Sequence, residues 1–235
     1  MGVAVKKHLY IIHGWTYSIE PWTSTVSVLR SWGYEVTQLR VPGLTAASEA
    51  VWTIDDYVAW LADELSGETA PIVLGHSNGG RIAMNYLAKE KGRFGQLLLL
   101  SSAGVEIRAE RLSRKRTLLK QAAKVLRPLR SVPLVRKIVY HLLGSDYNQA
   151  PPNMKQTLAN MLASDKDLNA ANVRVPTTIL WGENDRVTPP SMAQKLHHLI
   201  KDSKLRLFPH WGHAPYLTHP YELAKAIQAA LEEKV

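Results

Sequence analysis

Cysteine is absent from the 235 residues. This excludes disulfides, thiolate nucleophiles and cysteine-ligated zinc together, and it fits a cytoplasmic protein. No run of about 18 apolar residues occurs, so no membrane-spanning helix is expected. Residues 1–10 carry Lys6 and Lys7 but no long apolar stretch and no small-residue cleavage site, so no secretory signal is expected there. Low-complexity tracts and internal repeats are also missing. The 46% of hydrophobic residues is enough for a chain of this length to bury a sizeable core.

Excess charge is missing too, except in one place. Residues 106–141 hold eleven Lys or Arg and only two Glu, which accounts for the whole net charge of +9. The rest of the chain has equal numbers of bases and acids, so the basic character needs a local explanation.

Short apolar, β-branched runs alternate with helix-length amphipathic stretches, the pattern of a parallel sheet covered by helices. Strands are expected at 8–12, 35–40, 71–74, 96–100, 177–181 and 204–208. Helices are expected at 22–32, 55–65, 79–91, 191–200 and 221–233. Thr53 is placed to cap the second of these, with Asp55 and Asp56 in its first turn. Between 105 and 172 no strand is expected. Leu112, Leu119 and Leu126 recur at helical spacing, as do Leu134, Ile138 and Leu142, and then Met154, Leu158, Met161 and Leu162. The expected fold class is therefore α/β, a mostly parallel sheet flanked by helices. Residues 1–104 and 173–235 would form the core, and 105–172 an inserted helical cap.

Gly75-His76-Ser77-Asn78-Gly79 has the G-x-S-x-G pattern between an apolar strand and a helix. A serine on a sharp strand-to-helix turn needs small neighbours because the chain is strained and crowded there. The following helix directs free N–H groups and its positive dipole end at any oxyanion formed beside the serine. A serine hydroxyl also needs a base, and the base an acid that fixes its tautomer. Asp185 follows one later strand and His213 the next, in the order serine, acid, histidine. Glu183 and His210 are the alternatives for acid and base. Ser77, Asp185 and His213 are thus the expected catalytic residues, at the strand ends where open α/β sheets build their sites. The backbone N–H groups of Trp15 and Asn78 are the expected oxyanion donors, and Trp22, His76 and Trp181 the expected substrate contacts. No histidine and carboxylate cluster has metal-ligand spacing, and no cofactor is expected.

With His13-Gly14, the Ser77 turn, Gly182-Glu183-Asn184-Asp185 and Gly212-His213 in this order, the chain resembles the α/β-hydrolase superfamily over nearly its whole length. The resemblance places the cap after the family's sixth-strand equivalent. His13-Gly14-Trp15 with Trp22, and His213-Ala214-Pro215-Tyr216 with His219-Pro220, resemble the pimeloyl-acyl-carrier-protein methyl ester esterases. Asn78 stands where that group has leucine or methionine. The resemblance implies cleavage of carboxylic esters through an acyl-enzyme, on a small-molecule or acyl-carrier-bound substrate. Carbon–carbon bond hydrolases with the same triad and non-catalytic ligand-binding members of the fold are the alternatives.

The basic residues, from Arg108 and Arg111 to Arg136 and Lys137, interleave with apolar positions. The plainest reading is a solvated outer face over an apolar floor. The sharper readings are an acidic protein partner, such as a carrier protein, or an anionic membrane surface. Nucleic acid is disfavoured because no aromatic stacking platform accompanies the charge.

Overall fold

Alternation along each strand decides which face of the sheet a residue serves, because successive side chains point to opposite sides. Tyr10, Ile12, Val73, Leu97, Leu99, Ile179 and Trp181 pack into one core. Leu9, Ile11, Leu74, Leu98, Leu100 and Leu180 pack into the other. The computed structural model describes residues 7–89, 91–105 and 150–233.

Six strands form one sheet: β1 (His8–Ile12), β2 (Glu35–Gln38), β3 (Ile72–His76), β4 (Gln96–Leu100), β5 (Thr177–Gly182) and β6 (Lys204–Phe208). Their order is β2-β1-β3-β4-β5-β6, and every pairing is parallel. Both faces are covered, so the central strands are mostly apolar, as in Gln96–Leu100, which is buried at every position and has four leucines after Gln96. Each fully buried leucine here contributes roughly 2 kcal/mol.

Helices α1 (Thr23–Ser31) and α7 (Pro220–Glu232) cover one face, carrying Val26 and Leu29, and Leu223, Ile227 and Leu231, into its core. On the other face lie α2 (Ile54–Glu64), α3 (Asn78–Ala88) and α5 (Pro190–Leu199), and α4 (Pro152–Ala163) adds Met154 and Met161 to the same core. A short helix, α6 (Pro215–Thr218), follows β6. Gly33, with φ +90°, stops α1 in a conformation that only glycine adopts readily. Thr53 caps α2 as the sequence suggests: its hydroxyl accepts from the Asp56 N–H, and the Asp56 carboxylate accepts from the Thr53 N–H at 2.7 Å.

Several expectations need correction: β2 stops at Gln38 rather than 40, and α3 at Ala88 rather than 91. β3 runs on to His76, because backbone pairing of Gly75 and His76 with Leu99 and Leu100 does not depend on an apolar side chain. In α4, Met154, Leu158 and Met161 are buried but Leu162 is 46% exposed. The helical stretches expected within 106–149, with all eleven basic residues, lie outside the described residues. Among the described residues no helix is long and apolar enough to cross a membrane.

Candidate active site

The turn from β3 into α3 holds Ser77 at φ 50°, ψ −115°, a region that costs a non-glycine residue free energy. Backbone bonds hold it there. Ser77 N–H donates to the Leu100 carbonyl at 3.1 Å, and its own carbonyl accepts from the N–H groups of Gly80, Arg81 and Ala103. Glycine at 79 is required by space: a Cβ there would lie 2.0 Å from the Ile12 carbonyl oxygen.

β5 ends at Gly182, and Asp185 follows on a tight turn with its side chain buried. Oδ1 of Asp185 accepts from the N–H groups of Val187 and Thr188, both at 2.9 Å, and Oδ2 lies 2.8 Å from the Thr188 hydroxyl. The turn is held from behind, where the Trp181 indole donates to the Thr188 carbonyl at 2.8 Å. β6 delivers His213 through a loop interlocked with that turn. Asn184 N–H donates to the Trp211 carbonyl, and the Asn184 side chain to the Pro209 carbonyl.

The three strand ends converge. His213 Nε2 is 3.0 Å from Ser77 Oγ, and His213 Nδ1 is 2.9 Å from Asp185 Oδ2. Burial works to raise the Asp185 pKa, but hydrogen bonds from His213 and Thr188 outweigh it and hold the carboxyl below its ordinary value. Asp185 therefore stays ionised beside the imidazole. Glu183 and His210, the alternatives from sequence, are exposed.

His13 and Thr45 shape the loop after β1. The Gly14 carbonyl can only accept, so His13 Nδ1 carries the hydrogen of their 2.8 Å bond. Nε2 then accepts from the Thr45 hydroxyl at 2.7 Å. Burial lowers the His13 pKa, which keeps the ring neutral as this pattern requires. The loop brings residues 14–16 to a pocket of about 80 Å³ shared with His76, Ser77, Val187, His213 and Tyr216. Among the described residues neither the Trp15 nor the Asn78 backbone N–H has a protein acceptor.

Of the three expected substrate contacts only His76 lines this pocket. Trp22 and Trp181 are 1% and 0% exposed and belong to the two cores. Trp22 stacks on Tyr216, ring centroids 4.3 Å apart, and meets His76 edge-on at 5.9 Å. Both tryptophans support the site from beneath, and their assignment as substrate contacts gives way to packing. Sequence reasoning attached no role to Thr45, Arg81, Asp165 or the Thr188 hydroxyl. A threonine three residues beyond an aspartate is a local turn signal that could have marked Thr188. Among the described residues no group of three or more histidines and carboxylates is placed to hold a metal ion.

A six-stranded parallel sheet, a serine on a strained turn after its third strand, and an acid and a histidine after its fifth and sixth agree with comparison to known proteins. Residues 7–220 match the family described as the alpha/beta hydrolase fold. The chain belongs to that family. It is 27% identical over 241 residues to the pimeloyl-[acyl-carrier protein] methyl ester esterase of Nitrosomonas europaea, covering 94% of each chain. It is 24% identical to a 2-hydroxy-6-oxo-6-(2'-aminophenyl)hexa-2,4-dienoic acid hydrolase of Metapseudomonas resinovorans, covering 95% of this chain and 83% of that one. Among solved structures, an esterase from Exiguobacterium antarcticum superposes with a TM-score of 0.69 at 20% identity, over 98% of this chain and 94% of that one. That last likeness speaks for the fold.

Proposed function

We propose that this α/β hydrolase is a serine esterase that cleaves carboxylic esters through an acyl-enzyme. The observation that carries the reading is the continuous path Ser77 Oγ–His213–Asp185, with links of 3.0 and 2.9 Å. Ser77 attacks the ester carbonyl and passes its proton to His213 Nε2, while Asp185 stabilises the imidazolium. The Trp15 and Asn78 N–H groups hold the oxyanion, each worth about 10²–10³ in rate. Collapse breaks the ester C–O bond, and His213 returns the proton to the leaving alcohol. Water, deprotonated by His213, then attacks the acyl-Ser77 carbonyl and releases the acid. None of these steps draws on a cofactor.

The relatives named as methyl ester esterases of an acyl-carrier protein support an acyl-carrier-bound methyl ester as substrate. The eleven bases within 108–137 support the same reading, since they would attract an acidic carrier. An anionic membrane surface is the competing use of that charge.

The test is a panel of p-nitrophenyl esters of increasing acyl length, run beside a carrier-bound methyl ester. Hydrolysis of the panel is expected, with a fall in kcat of about 10⁴–10⁶ in Ser77→Ala. Turnover that survives this change would assign the chemistry to another residue. A second reading, hydrolysis of a carbon–carbon bond, is favoured by the likeness to the dienoic acid hydrolase. It predicts turnover of ring-cleavage dienoates in preference to esters. Failure of a fluorophosphonate to label Ser77 would instead mark a ligand-binding protein.

A further inference from the structure

Arg81, one turn into α3, is only 3% exposed. Its Nε and one terminal nitrogen donate to the two carboxylate oxygens of Asp165 at 2.6 and 2.9 Å, and the other terminal nitrogen donates to Asn78 Oδ1. The Asn78 Nδ2 completes the set by donating to Met161 Sδ of α4 at 3.0 Å. Asp165 lies in the turn just after α4. The guanidinium fork is thus used on both sides, within a plane that fixes its partners relative to each other.

Stability alone does not account for this arrangement. A buried ion pair loses much of its Coulombic gain to desolvation, and apolar residues of similar volume often serve as well or better. What the fork uniquely fixes is the Asn78 carboxamide. Asparagine side chains readily bond to nearby backbone groups, including those at the first turn of a helix. An unrestrained Asn78 carboxamide oxygen could therefore cap the N–H groups at the start of α3, where the oxyanion must bind.

We propose that Arg81 is a positioning residue for the oxyanion hole. Held by Asp165, it keeps the Asn78 side chain turned towards α4, and the Asn78 backbone N–H stays open to the substrate carbonyl oxygen. The proposal rests on the esterase reading for its catalytic consequence but not for its geometry.

The decisive variant is Arg81→Met/Asp165→Leu, which removes both charges together so that neither is left buried alone. With p-nitrophenyl butyrate, kcat is expected to fall about 10- to 100-fold, the scale of a misplaced catalytic group, with little change in KM. Adding Asn78→Ala, which removes the competing carboxamide, is expected to recover most of that loss. A purely structural pair would give no such rescue. Arg81→Lys, which keeps the charge beside Asp165 but loses the fork, serves if the double variant does not fold, with the same loss and the same rescue expected. The ¹⁵N amide resonance of Asn78 is expected to shift when the clamp is removed. Undiminished kcat, or a loss that Asn78→Ala does not relieve, would overturn the proposal, as would an unmoved amide resonance. If the wild-type protein cleaves no ester, the esterase reading alone fails and the amide resonance decides the clamp.

Discussion

His76 donates through Nε2 to the backbone carbonyl of His213 at 2.9 Å, so the residue before the serine holds the chain that carries the proposed base. Burial, helped by the nearby His213, lowers the His76 pKa to about 3. The unfolded chain binds a proton near pH 6.5, and the native ring refuses it until about pH 3. Stability is therefore whole above pH 6.5 and falls as pH drops towards 3, by up to about 1.4 kcal/mol per pH unit from this residue. His13, lowered in the same direction by burial, adds to the slope. Urea denaturation of His76→Phe between pH 6 and 4 should show a slope reduced by about one proton, from a lower starting stability.

Thr188 touches three parts of the site. Its Oγ1 is 2.8 Å from Asp185 Oδ2, 3.0 Å from the Ser101 carbonyl and 3.1 Å from His213 Nδ1. Thr188→Val removes the one hydroxyl hydrogen offered to the buried Asp185 carboxylate and Ser101 carbonyl, and should cost about 1–3 kcal/mol of stability. The acid loses orientation as well, so kcat/KM should fall about tenfold, one hydrogen bond's worth. Thr188→Ser should restore both in steady-state kinetics and denaturation.

Two glycines should separate folding from chemistry. In Gly79→Ala the new methyl would stand 2.0 Å from the Ile12 carbonyl, backbone that cannot give way, and a loss of about 3 kcal/mol or more is expected on denaturation. In Gly14→Ala it would stand 2.9 Å from His76 Nδ1 and 3.0 Å from Ser77 Cβ. That crowding is milder and falls on the loop bearing the Trp15 N–H. A folded protein with kcat lowered by about 10- to 100-fold is expected.

Thr53→Ala removes both halves of the cap on α2 and touches no site residue. About 1 kcal/mol should be lost, with kcat unchanged.

Local chemistry made most of this molecule legible in its sequence. Alternating apolar runs specify parallel strands buried on both faces, and the glycines around Ser77 are needed because chain passes chain there. Thr53 with Asp56 marks a helix start within four residues. What escaped notice depends on pairs far apart. Nothing near Arg81 in the sequence points to its partner, because Asp165 lies 84 positions on. Trp22 and Trp181 lie close to site residues in sequence. Yet nothing local tells whether an indole at a strand end opens to the pocket or, as with Trp181 bonded to the Thr188 carbonyl, fills the core beneath it.

Ser77 precedes His213 by 136 positions, and the two meet only when β6 lies beside β5 in the finished sheet. During synthesis the serine is thus made long before its partner. A nascent chain held on the ribosome short of that histidine can adopt the strained turn and still have no base to activate the hydroxyl. Under the proposed mechanism, turnover by a refolding sample therefore reports the arrival of β6 beside β5.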